Sequence, residues 1–591
     1  MKPRLFTKKS HPTFAEWRLR AFWYGLLLVA VVVVFRLGWL QIVRHDFFAG
    51  LAANQHEVTQ ALPAERGSIY LQDTRQSPDD EPSLVPLATN QQFYLIYGQT
   101  FAVEDPVGTA AELNTVLDLP PEVVARISQQ LARPDDPYEP LVHRVTEDKI
   151  TALATLQLPG IHWEPEAQRY YPAGVSGSHI AGFVGWQGDE LVGQYGLEGY
   201  WNEELAGMAG TRVIERDAAG RPIGIGTRVE QPAVNGSNIV LTVDATLEET
   251  ICRKLDEAVV KYAATGGTII VMEPSTGAVR AMCGHPDYDP NAYSQVTDAR
   301  AYTNPSIFDA YEPGSVFKGI TMAAGLDTDA VTPETTYEDT GEDKIGGFSI
   351  RNFDDQAYGT QNMIEVLKQS LNLGAIFVMR QTGQNTFRDY VEKFGFGQPT
   401  GIELAGEVGG SLASLTKSGE VYSATAAFGQ GITTTPLQLI TAYSALVNGG
   451  LLMKPYIVDR VIGPDEVVTK TKPTIVRRVI STKTSSLIAG MLAEVVRTGH
   501  STRAQVPGYY LGGKTGTAQI ASSGGGYGNQ TMQTFIGFGP VSHPVFVMLI
   551  RFDRPANSRF ADGSAVPVFR ELAEFILNYY QIKPDEITTQ R

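Results

Sequence analysis

Tyr311-Glu312-Pro313-Gly314-Ser315-Val316-Phe317-Lys318-Gly319 is the stretch around which the 591-residue chain is organised. Pro-Gly breaks regular structure, and the apolar run that follows, Ile320-Thr321-Met322-Ala323-Ala324, suits a helix. Three residues apart on such a helix, Ser315 and Lys318 share a face, so that their side chains could meet. A serine hydroxyl at neutral pH needs a neighbouring base to become a nucleophile. A buried lysine can supply that base, because desolvation disfavours its ammonium form. The helix N-terminus would also turn a backbone N–H toward a developing oxyanion. The same pattern recurs at Ser414-Leu415-Thr416-Lys417. Two fixed letters in four are common by chance, so the choice between them rests on the rest of the chain.

Two further motifs make that choice. Ser370-Leu371-Asn372 lies downstream of Ser315, and Lys514-Thr515-Gly516-Thr517 lies near the far end. Placed in order on a helix start, a loop and a strand, the three supply what acyl transfer requires. Ser315 attacks a peptide carbonyl and neutral Lys318 takes its proton. Ser370 relays a proton to the leaving amine, and Asn372 offers an amide that both donates and accepts. Lys514 adds positive charge that tunes Ser370 and Lys318. Thr515 and Thr517 present hydroxyls to a substrate carboxylate, and Gly516 lets an extended substrate pass close to the backbone. The N–H groups of Ser315 and Thr517 would form the oxyanion hole. Ser414 fails this test, because it follows Ser370 and lies in a Ser/Gly-rich stretch.

Outward from this centre, the chain from about 236 suggests an α+β fold. Asn238–Asp244 is strand-like, Thr246–Ala264 has helical apolar spacing, and Gly267–Met272 with Ala278–Met282 forms a hairpin around Pro274 and Gly277. A mainly helical middle runs from Ser315 to about Val447. Strands follow around Tyr509–Gln519, Gln533–Gly539 and Pro544–Arg551, with a last helix over Val568–Tyr579. Strands at both ends with helices between predict one antiparallel sheet flanked by helices. Ser522–Gly528 suits a flexible hairpin loop, since it lacks the Gly-Lys-Ser/Thr ending of a phosphate cradle.

Upstream, residues 44–235 suggest a mixed, irregular region. A turn at Ala64–Ser68 leads into a strand at Ile69-Tyr70, residues 72–86 suggest a solvated acidic loop, and Ala110–Leu117 and Pro121–Leu131 have helical spacing. Glu198 and Glu203 suit a solvated face. Further back, Ala21–Phe35 is an unbroken apolar run that Leu37-Gly38-Trp39-Leu40 extends past Arg36, long enough to cross a bilayer. Residues 1–20 carry a net +5 in a chain whose total is -16, which predicts a cytoplasmic N-terminus with the bulk outside. The expected organisation is a cytoplasmic tail over 1–20, an uncleaved anchor over 21–43, a pedestal over 44–235, the catalytic domain over 236–585 and a tail over 586–591.

The acidic balance argues against nucleic acid as a partner. With two cysteines, Cys252 and Cys283, and no Cys/His cluster, no metal and no cofactor are expected. Lone cysteines are most often buried hydrophobes, and the sequence leaves a bond between these two open.

At the three motifs the chain resembles the class B penicillin-binding proteins, whose relatives and the class A β-lactamases share this set. Arg66-Gly67-x-Ile69, Arg169-Tyr170-Tyr171-Pro172 and Gly196-Leu197-Glu198 resemble the family's pedestal motifs. Leu241-Thr242-Val243-Asp244, Phe394-Gly395-Phe396-Gly397 and Thr435-Pro436-Leu437-Gln438 resemble its catalytic-domain signatures. One departure is the longer acidic loop over 70–86, where the family has a short turn. The resemblance implies a penicillin-binding transpeptidase fold on an elongated pedestal. It implies cross-linking of stem peptides ending in D-Ala-D-Ala, covalent inhibition by β-lactams, and work beside a polytopic glycosyltransferase in the division or elongation machinery, with the division type favoured. Its competitors are a carboxypeptidase or β-lactamase on the same fold, for which no water-activating motif stands out, and a scaffold or sensor, which would have lost a motif residue or gained an output domain.

Overall fold

The computed structural model describes residues 14–48, 57–62, 64–74, 82–133, 136–188, 190–215, 229–521 and 526–585. The chain divides into two compact units, residues 1–64 with 208–234, and residues 65–207 with 235–591. In the first, Phe14–Gly38 is an α-helix that continues as a π-helical turn over Trp39–Val43. Its apolar stretch Trp17–Val43 is 27 residues long, with none of it buried, long and apolar enough to cross a membrane. Strands Glu57–Leu62, Gly210–Glu215 and Val229–Gln231 form this unit's three-stranded antiparallel sheet.

The second unit holds the predicted α+β core. Five antiparallel strands run in the order Val279–His285, Gly266–Met272, Phe546–Asp553, Tyr527–Gly539, Gly512–Ala521. Helices Ala245–Tyr262 and Ala565–Tyr579 cover one face, packing Leu247, Ile251, Phe569 and Ile576 against Ile269, Phe535 and Ile550. The other face supports the helical middle, where Pro436–Val447 is buried along its whole length. A capping box of Thr435 and Gln438 starts that helix, and Gln438 also donates to the carbonyls of Gln398 (2.7 Å) and Gly409 (2.8 Å). This is the physical content of Thr435-Pro436-Leu437-Gln438. The middle is less uniformly helical than its sequence suggests: two small hairpin-like pairs, Thr336–Asp339 with Gly359–Asn362 and Glu342–Ile345 with Phe348–Arg351, interrupt it.

A second sheet joins the two halves of the sequence. Asn238–Asp244 lies parallel to Ile69–Asp73, with Ile239 opposite Ile69, and Ile69–Asp73 pairs antiparallel with Ser83–Gly98. Strand character therefore extends into both ends of the expected 72–86 loop, and residues 75–81 lie outside the described residues. The expected boundary near 236 falls inside this shared sheet. Beyond it, helices Pro106–Leu117 and Pro121–Leu131 pack with Glu147–Ala154 over strands Glu139–Val145 and Ile161–Tyr170 around their own small core.

One reading is corrected here and one open question is answered. Glu198 is fully buried rather than solvated. It accepts from Arg66 Nε at 2.7 Å and from Arg169 Nε at 2.6 Å, so the three pedestal motifs converge on one carboxylate. Cys252 and Cys283 form a disulfide that ties helix Ala245–Tyr262 to strand Val279–His285. The helix packs along that strand, which brings two cysteines 31 residues apart into register.

Candidate active site

Ser315 sits in a 3₁₀ turn, Gly314–Phe317, that leads directly into helix Lys318–Asp327. The turn is gripped from several sides. Gly314, at φ 60°, donates to the carbonyl of Gly429 (3.0 Å), and Tyr311 exchanges backbone bonds with Thr434 (3.0 and 2.9 Å). Tyr443 donates its hydroxyl to the Val316 carbonyl, and Phe396 packs its ring on Phe317 at 5.1 Å. Tyr311 stacks beneath the guanidinium of Arg551, a fully buried arginine paired with Asp309 and Asp553.

Ser370 occupies the left-handed position (φ 57°) just past helix Met363–Lys368, and the Leu371 N–H closes back on the Val366 carbonyl at 3.0 Å. This is a Schellman ending, where glycine is the usual residue; a side chain there costs about 1–2 kcal/mol. The conformation presents both the carbonyl and the hydroxyl of Ser370 to lysines. Lys318 Nζ donates to the Ser370 carbonyl and to its Oγ (3.3 Å), and Lys514 Nζ donates to the same Oγ at 2.9 Å. Both lysines are 1 % exposed, and among the described residues neither has a carboxylate partner. Burial, reinforced by the neighbouring Lys514 charge, holds Lys318 well below the ordinary lysine range. Burial alone pushes Lys514 down to about 7. A neutral Lys318 is thus available as a base at physiological pH.

The predicted serine–lysine contact differs in detail. Among the described residues Ser315 Oγ makes no hydrogen bond, and Lys318 is committed to Ser370 instead. Asn372 begins helix Asn372–Thr382, donates its amide to the Arg351 carbonyl (2.8 Å) and its backbone N–H to Asn352 Oδ1 (3.0 Å). Asn352 is held in turn by buried Asp339 at 2.9 Å. These two residues anchor the second motif, and no local signal marks them, because Asp339 ends one short strand and Asn352 follows another, with no chemistry of their own.

Strand Gly512–Ala521 is the edge strand beside the serine turn and carries the third motif. Ser315, Ser370, Asn372, Thr515 and Thr517 all line one cleft of ≈1790 Å³. Thr517 Oγ1 accepts from the Ala561 N–H at 3.2 Å and keeps its own proton to donate. Gly516 has another reason than the one expected. A Cβ there would stand 2.8 Å from the Pro313 carbonyl and 3.3 Å from the Val316 nitrogen, so glycine is needed for the strand to press against the serine turn itself.

Comparison with known proteins bears on this geometry. Residues 267–574 match the penicillin-binding protein transpeptidase domain, and residues 61–241 match the penicillin-binding protein dimerisation domain. The chain belongs to the class B penicillin-binding proteins. Stage V sporulation protein D of Bacillus subtilis is 32% identical to it, over 94% of this chain and 85% of that protein. Peptidoglycan D,D-transpeptidase FtsI of Escherichia coli is 28% identical, over 98% of this chain and 95% of that protein. Among solved structures, penicillin-binding protein 3 of Mycobacterium tuberculosis, complexed with aztreonam, is 25% identical, with a TM-score of 0.67 over 89% of this chain and 98% of that one. The family match confirms the expected transpeptidase fold.

Proposed function

We propose that the chain is a membrane-anchored peptidoglycan D,D-transpeptidase that works through an acyl-enzyme on Ser315. The observation that carries this reading is the hydrogen-bonded set Lys318–Ser370–Lys514, buried at the base of the cleft that Ser315 lines. Neutral Lys318 takes the Ser315 proton as Oγ attacks the carbonyl of the penultimate D-Ala. The bond to the terminal D-Ala breaks, and the departing amine collects a proton through Ser370, whose hydroxyl lies on both lysines. The Ser315 and Thr517 N–H groups hold the oxyanion. Thr515 and Thr517 hold the substrate carboxylate, and Asn372 holds a substrate amide. An amine of a neighbouring stem peptide then attacks the ester, the new amide forms, and Ser315 recovers its proton. A β-lactam enters the same first step and stays, because no second amine can take its place.

In this proposal the catalytic unit lies outside the cytoplasm and the N-terminus inside, a reading supported by the net +5 of residues 1–20. The match to FtsI over nearly the full length of both chains supports a division-type role, and the proposal adds work beside a polytopic glycosyltransferase. The proposed domain organisation is a tail over 1–20, an anchor over 21–43, a pedestal over 44–235, a transpeptidase domain over 236–585 and a tail over 586–591. Fluorescent penicillin applied to membranes tests the assignment. Wild type should be labelled and Ser315→Ala should not; label on the variant would remove Ser315 from the nucleophile's role.

A further inference from the structure

The rival motif Ser414-Leu415-Thr416-Lys417, set aside as a nucleophile, stands on the wall of the same cleft as Ser315. It forms a 3₁₀ turn over Ala413–Thr416, closed by the Lys417 N–H on the Ser414 carbonyl at 3.0 Å. Ser414 Oγ is buried and has no hydrogen-bond partner among the described residues. Lys417 lies over the Tyr422 ring, 5.4 Å from its centroid.

The charge of the cleft runs against that of the chain. The protein carries -16 overall, yet the cleft is lined by Arg351, Lys417, Arg554 and Arg559 and by a single carboxylate, Asp562. Two of these charges are engaged elsewhere: Arg351 lies 3.5 Å from Glu342, and Asp562 lies 3.8 Å from Arg503. Lys417, Arg554 and Arg559 have no carboxylate partner among the described residues. Two of these side chains lie over aromatic rings, and the third stands on tethered backbone. Arg559 lies over the Phe560 ring at 5.0 Å. The segment that carries both arginines is fastened by Arg554 N–H to the Thr531 carbonyl (3.0 Å), by Gln533 to the Ser558 carbonyl (2.8 Å) and by Ala561 N–H to Thr517 (3.2 Å). Cations held over rings and on tethered backbone have less freedom to lose when an anion arrives.

We infer that this cleft selects stem peptides whose third residue carries a free side-chain carboxylate, a diamino dicarboxylic acid rather than lysine, with Lys417, Arg554 and Arg559 as specificity-determining residues. The inference rests on the transpeptidase reading and names its substrate class. Both kinds of stem share the terminal carboxylate that the Thr515 and Thr517 hydroxyls would take. They differ in the third side chain, which is a bare ammonium on lysine and is balanced by a carboxylate on the diamino dicarboxylic acid. A cation-lined cleft repels the first and attracts the second.

The test uses the full chain in detergent micelles with uncross-linked glycan strands that bear pentapeptides with either meso-diaminopimelate or lysine at the third position. D-Ala release is measured for each, with fluorescent penicillin labelling alongside. An exposed ion pair contributes a factor of about two to five, so a carboxylate meeting two of these cations should favour the diaminopimelate strand by roughly tenfold. That preference should shrink in 1 M salt. The Lys417→Gln/Arg559→Gln variant should bring the ratio to about twofold or less. Equal release from the two strands by wild type, an unchanged ratio in the variant, or release from neither strand by enzyme that still takes penicillin would overturn the inference. Failure of wild type to take penicillin would instead strike the transpeptidase reading. If the double variant loses penicillin labelling through misfolding, each single variant and the salt dependence of wild type give the same reading.

Discussion

Replacing Lys514 by methionine is predicted to make the protein more stable while abolishing its acylation. The lysine is buried without a carboxylate partner among the described residues, and burial lowers its pKa from 10.5 to about 7. A depression of that size corresponds to about 5 kcal/mol of penalty on the protonated form. Methionine removes the penalty and keeps most of the volume. It also removes the bonds to Ser370 Oγ (2.9 Å) and the Thr515 carbonyl (3.2 Å), a loss of about 1–3 kcal/mol. The expected net gain near pH 7 is therefore about 2–4 kcal/mol, or a few degrees in melting temperature. The pH dependence fixes the sign independently. Between about pH 7 and 10.5 the unfolded chain holds a proton on this lysine that the folded chain does not. Wild-type stability therefore rises through that window, and the advantage of the variant should vanish by pH 10.5. Thermal unfolding of the solubilised full chain at pH 7 and pH 10.5, with penicillin acylation in parallel, measures both halves. A variant that melts below wild type at pH 7, or a gap that does not close at high pH, would refute the reasoning.

The pedestal and the disulfide give two further tests. Glu198→Ala leaves Arg66 and Arg169 facing an empty buried site, and should cost about 3–5 kcal/mol and open strands Ile69–Asp73 and Ile161–Tyr170 to hydrogen exchange; unchanged protection there would show that the carboxylate is not the anchor. Cys252→Ala/Cys283→Ala frees a loop of 31 residues and should destabilise the fold by about 3–4 kcal/mol, seen as a lower melting temperature that reductant no longer affects. A double variant as stable as wild type would contradict it.

The transpeptidase core was legible because its chemistry and its local signals agree. Pro-Gly before a helix, the Gly277 hairpin and the apolar strands Gly266–Met272 and Phe546–Asp553 each declare themselves within ten residues. The three motifs were legible as a set because their order along the chain excluded Ser414. What the sequence hid was set by distant partners. Glu198 belongs with surface glutamates until Arg66 and Arg169 arrive from 132 and 29 residues away. The Cys252–Cys283 bond depends on a helix lying along one strand. Gly516 was assigned to the substrate because its contact, the Pro313 carbonyl, comes from the other end of the domain. Ser370 gave no hint of its left-handed backbone, since serine rarely takes that position without the contacts that two buried lysines supply.

The most direct test of the central claim is the site of covalent attachment. Full-length protein treated with penicillin, digested and mapped by mass spectrometry should carry one adduct, on the peptide containing Ser315, with none on the peptide containing Ser414. An adduct on Ser414, or on Ser370, would contradict the account.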